Sequence, residues 1–131
     1  MNIENFYQAL DNFFMEKKID KAELFLKDTL SAAEAAEDFG LIIAACNELG
    51  GLYRVLSRYD EGMPLYEKAL ESLRRIGAVD SENYATTLIN YATILSMSGR
   101  QEEALDKYKD VVKILQSHGA EGDYRMAALY N

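Results

Sequence analysis

The stretch from Glu82 to Leu115, ENYATTLINYATILSMSGRQEEALDKYKDVVKIL, decides how the rest of the chain is read. Leu88, Tyr91 and Leu95 fall at helical spacing, and so do Ala104, Tyr108, Val111 and Leu115 after the Ser98-Gly99-Arg100 break. The spacing predicts two amphipathic helices joined by a tight turn. A hairpin of this size cannot bury both its faces alone, so it requires neighbours of the same kind. Upstream, Cys46, Leu49-Gly50 and Tyr53 repeat the pattern, followed by Gly62 and Tyr66. Further upstream, Phe6, Ala9-Leu10 and Phe13 repeat it more loosely, followed by Ala22 and Leu26. From Phe6 to Cys46 to Leu88 the unit period is 40 and then 42 residues.

An apolar anchor, a Leu-Gly, a Tyr, and later a small residue and an aromatic one form a spacing that resembles the tetratricopeptide repeat. Leu49-Gly50, Tyr53, Gly62 and Tyr66 carry the match in the middle unit, and Tyr91-Ala92, Leu95, Ala104 and Tyr108 in the third. That repeat is about 34 residues long, so the longer period here implies longer helices or turns. Ala85-Thr86-Thr87-Leu88 and the run Gly99 to Leu105 are similar to the longer repeats of kinesin light chains. The chain departs from the pattern in having no Trp, no Leu-Gly in the first unit, and a single proline, Pro64. The resemblance implies an all-α fold: a right-handed solenoid of three helical hairpins plus the start of a fourth, in one domain. Its units run over about 2–39, 40–78 and 81–118, with 123–131 opening the next, because Ala127 to Asn131 echoes Thr86 to Asn90.

Composition fits this reading. Of 131 residues, 49% are hydrophobic, with one proline and no alternating β-branched run, which favours helix throughout. The net charge of −8 argues against a nucleic-acid surface, since such surfaces show a basic patch. Positions 1–40 carry nine acids and four bases, so −5 of the charge sits there; a solvated acidic face is the ordinary explanation. One cysteine excludes an internal disulfide framework. The N-terminus shows no signal-peptide pattern, and the longest apolar run, Leu41 to Cys46, is far too short to span a bilayer. A cytoplasmic location away from membranes is the expectation.

Local signals place the helices. Asn2 caps a first helix ending at Met15, and Asp20 caps a second ending near Gly40. A third spans about Leu41 to Ser57, with Gly50 and Gly51 in its interior. Asp60 caps a fourth ending at Gly77, in which Pro64 is accommodated because first-turn amides have no intrahelical acceptor. Asp80 or Ser81 opens a fifth ending at Gly99, and a sixth ends at Ser117.

No catalytic constellation is present, so no enzyme activity, metal or other cofactor is expected. His118, the only histidine, sits at a helix C-terminus, where charge–dipole attraction accounts for it. Cys46 takes the anchor position of its unit and reads as a buried apolar side chain rather than a nucleophile. Glu102, Glu103 and Asp106 complement a helix N-terminus. Tyr53, Tyr66, Tyr91 and Tyr108 read as core.

The resemblance implies that the first helices of each unit line a concave groove. Residues off the packing stripe are Glu4, Tyr7 and Asp11 in the first helix; Ala44, Asn47, Gly51 and Arg54 in the third; and Thr86, Ile89, Asn90, Thr93 and Met97 in the fifth. Relatives that grip a C-terminal carboxylate carry lysines in the first unit, where this chain has Glu4, Tyr7 and Asp11, so that mode is disfavoured. The expected function is a non-enzymatic scaffold holding a protein or an extended peptide in the groove. Asn47, Asn90 and Thr93 would meet the peptide backbone, since a carboxamide both donates and accepts. Gly51 would give clearance, and Arg54 would contact an acidic group. Two alternatives are self-stacking into oligomers through the exposed C-terminal end, and a peptide-sensing part of a larger bacterial regulator.

Overall fold

The computed structural model describes residues 1–118, and within them the chain is six helices without a strand. They are α1 (Ile3–Met15), α2 (Ile19–Ala35), α3 (Phe39–Val55), α4 (Tyr59–Arg75), α5 (Glu82–Met97) and α6 (Gln101–Ser117). Each packs on the next, and α3 also packs on α1 and on α5. No two even-numbered helices approach through their backbones; α2 and α4 are joined by the Lys68–Glu34 ion pair at 3.0 Å. The odd helices therefore line the inner, concave side of a helical-repeat solenoid and the even helices its outer side. The residues expected to open a fourth unit lie outside the described residues, as does any contact they make.

The turns show why two helix boundaries differ from the sequence expectation. Lys17, Glu37, Ser57, Gly77 and Gly99 all have positive φ and follow the ends of α1 to α5. In each case the next residue's N–H returns to a carbonyl five positions back, as in Asp38 to Ala33 at 2.9 Å and Arg58 to Tyr53 at 2.8 Å. This double closure is the Schellman geometry that glycine favours. At Glu37 it forms without glycine, so α2 ends at Ala35, not near Gly40, and Gly40 lies inside the first turn of α3. Asp38 caps α3 by accepting from the Leu41 N–H at 3.2 Å.

Asn2 and Ser81 cap α1 and α5 as expected, at 2.7 and 3.1 Å. Asp20 and Asp60 are not caps. The residues before α2 and α4 are Lys18 and Arg58, and the two aspartates sit in the first turn, where their charge complements the helix dipole. Pro64 lies in the second turn of α4, so the first-turn explanation fails. It removes one helical donor, but Pro64 and Asp60 are both exposed, where water can serve the carbonyl that loses it.

The middle hairpin has the closest crossing. A Cβ on Gly62 would stand 3.3 Å from the Gly50 carbonyl oxygen and 2.6 Å from the Ile94 Cδ1. A Cβ on Gly50 would stand 2.9 Å from Cζ of Tyr66. The two glycines thus let α3 and α4 approach, and they let the fully buried Tyr66 ring lie directly against the α3 backbone. At the corresponding positions the third hairpin has Ala92 and Ala104, and the first has Leu10 and Ala22. The first hairpin is held instead by aromatic contacts, Phe6 on Phe25 at 5.8 Å and Phe13 on Phe25 at 5.6 Å between ring centroids.

Candidate functional site: the concave groove

The inner surface of α1, α3 and α5 encloses a groove of about 460 Å³. Tyr7 forms one wall, Asn47 and Glu48 the floor, and Thr86 and Asn90 the opposite wall. Of the five expected contact residues, Asn47 and Asn90 line this cavity together. Gly51 and Arg54 lie further along α3, and Thr93 further along α5, all half-buried.

Asn47 is held in place. Its Nδ2 donates to the Ile43 carbonyl at 3.1 Å and to Oγ1 of the buried Thr87 at 3.2 Å, tying α3 to α5. Its Oδ1 is buried with no partner among the described residues. The Thr93 hydroxyl donates to the Ile89 carbonyl at 2.8 Å, so that donor is used within its own helix.

Two groups on this side escaped the sequence reading. Glu48 is half-buried, yet among the described residues it has neither a hydrogen bond nor an ion pair. Burial, and then the neighbouring Asp11 charge, raise its pKa above the ordinary carboxylate value. Burial, and then Glu48, raise that of the Tyr7 phenol. The second group is the Tyr66 hydroxyl. Tyr66 belongs to an outer helix and its ring is core, as expected, but the ring passes Gly50 and its Oη comes within 3.9 Å of where a Gly51 Cβ would be. There it feels Arg54 and Glu48, although burial is the main reason its pKa is raised. Tyr66 is 0% exposed, and its Oη has no partner. The other two buried tyrosines each donate to a glutamate, Tyr53 to Glu23 at 2.7 Å and Tyr91 to Glu67 at 2.6 Å.

Other reactive groups are occupied by structure. Cys46 is fully buried, and burial pushes its thiol up to about 12, which makes it inert at neutral pH. A ring nitrogen of His118 meets the Asp80 carbonyl, tethering the end of α6 to the loop before α5. Among the described residues no group of three His, Cys, Asp or Glu side chains could hold a metal ion, and no helix is long and apolar enough to cross a membrane.

With this geometry in place the family follows. The model of the tetratricopeptide repeat matches residues 41–117, more than half of the chain, and the chain belongs to that family. Such repeats generally mediate protein–protein interaction and are typically non-catalytic. The chain is similar to BtubC (BKLC) from P. vanneervenii, with 27% identity and a TM-score of 0.83 over 98% of this chain. It spans 52%, about half, of the BtubC chain. The TPR domain of Arabidopsis FLU shares the fold, with a TM-score of 0.74 at 19% identity, over 86% of this chain and 93% of that one. No curated protein sequence matches the chain.

Proposed function

We propose that the chain is a binding scaffold whose concave groove holds an extended segment of a partner protein. The observation that carries this reading is the Asn47–Asn90 pair. Two carboxamides on adjacent inner helices line one cavity: Asn47 is anchored on Thr87 with its carbonyl oxygen buried, and Asn90 has no hydrogen-bond partner among the described residues. A peptide backbone offers alternating donors and acceptors at regular spacing, and the Asn90 carboxamide can answer both, with Asn47 holding the floor beside it. Gly51 keeps the α3 surface low where the segment would pass, and Arg54, which has no ion pair among the described residues, would meet an acidic group on it.

The test is to select peptides on the full chain from a random dodecapeptide library, and to measure the affinity of the selected peptide for Arg54→Ala and Asn90→Ala variants. Loss of a desolvated polar contact predicts at least a fivefold drop for each, on the order of 1 kcal/mol. Unchanged affinity in both would remove the groove assignment.

A further inference from the structure

We propose that the groove selects a basic residue, a lysine or arginine of the bound segment, whose cationic head sits against Glu48 beside Asp11 and Tyr7. This rests on the reading of the groove as a peptide site and specifies the ligand's chemistry. Three polar groups around the α3 face are unsatisfied among the described residues: the Glu48 carboxylate, the Asn47 Oδ1 and the Tyr66 Oη. The Asn47 and Tyr66 oxygens are buried, so the Glu48 carboxylate, which lines the groove, is the acceptor that a ligand would meet. The missing counterpart is a set of donors, and ammonium and guanidinium groups are donors only.

One further observation points the same way. After burial, the charge of Asp11 is what raises the Glu48 pKa, and two acids brought together with no cation paired to Glu48 among the described residues repel unless one arrives. The same chain shows what a satisfied carboxylate looks like: Glu23 is gripped by Arg58 at 2.9 Å, from both guanidinium nitrogens. A ligand arginine at Glu48 would reproduce that arrangement in trans.

The experiment sequences the dodecapeptides selected on the full chain and on its Glu48→Gln variant, then measures the winning peptide with its basic residue changed to norleucine. The expected result is a lysine or arginine enriched at one position on the parent and not on Glu48→Gln. Affinity should fall about tenfold for either change, with no further loss when the two are combined, and about twofold for Asp11→Asn. Circular dichroism of Glu48→Gln checks that the helices persist. If peptides are selected whose binding depends on Asn90 but shows no basic preference, or one indifferent to Glu48, this inference fails and the groove reading stands. If selected peptides ignore Asn90 and Arg54, or none is selected, both fall.

Discussion

Glu23 and Glu48 are both partly covered glutamates, and the protein treats them in opposite ways. At the junction between the first two units, Glu23 takes two hydrogen bonds from Arg58, one from the Tyr53 hydroxyl at 2.7 Å, and an ion pair with Lys27 at 3.2 Å. Arg58 in turn grips Glu61 at 2.7 Å and lies 4.3 Å above the Tyr53 ring. In the groove, Glu48 has neither a hydrogen bond nor an ion pair among the described residues, and the Asn47 and Tyr66 oxygens nearby are buried and unpaired as well. The difference separates a place built for stability from a place that keeps polar atoms unsatisfied. Leaving a buried polar atom unpaired costs about 1–3 kcal/mol.

The contrast can be broken most severely at its shared support, α3. Gly50→Ala would drive a methyl group to 2.9 Å from the Tyr66 ring, which has no free space to retreat into. Overpacking should destabilise the protein by about 2 kcal/mol despite alanine's better helix propensity. Chemical denaturation measures the loss. Gly51→Ala is the control, since its methyl group would meet only the Tyr66 hydroxyl at 3.9 Å, and it should gain up to about 1 kcal/mol.

Next in size is Glu23→Gln, which should cost about 1–2 kcal/mol after allowing for solvent screening at this partly covered junction. Its pH dependence carries the sign. Arg58 holds the Glu23 carboxyl down to about 2, from a usual 4.5, against the opposing effect of burial. That stability is therefore present above pH 4.5 and lost as pH falls from there towards 2. Unfolding curves across this range should converge for parent and variant at the acid end. Glu48 acts oppositely: its raised pKa means that the folded state loses stability as pH rises through the usual carboxylate value and beyond.

How much of this the sequence disclosed depended on which residue carried each feature. The three hairpins were legible because Leu49-Gly50, Tyr91-Ala92 and their partners repeat at fixed distances. Gly77 and Gly99 marked two turns correctly. The turns at Lys17, Glu37 and Ser57 take the same left-handed geometry without glycine, so the end of α2 was misplaced and the caps of α2 and α4 were assigned to first-turn acids. In the groove, Asn47 and Asn90 were visible from their place off the packing stripe. Glu48 was not, because it lies a helical step of about 100° from Asn47 and faces α1, a contact between units that no local pattern encodes. The unpaired Tyr66 hydroxyl could not have been read either. Tyr53, Tyr66 and Tyr91 look alike as core aromatics, and only the fold shows which hydroxyls meet a glutamate.

Those three tyrosines supply the most direct test of the claim that the inner face holds polar atoms unsatisfied. Thermal unfolding of Tyr53→Phe, Tyr66→Phe and Tyr91→Phe should show the first and third less stable by about 1 kcal/mol, since each abandons a hydrogen bond to a carboxylate. Tyr66→Phe should instead be more stable than the parent, by up to about 1 kcal/mol or roughly 3 °C. A Tyr66→Phe protein that melts below the parent, in step with the other two, would contradict the account.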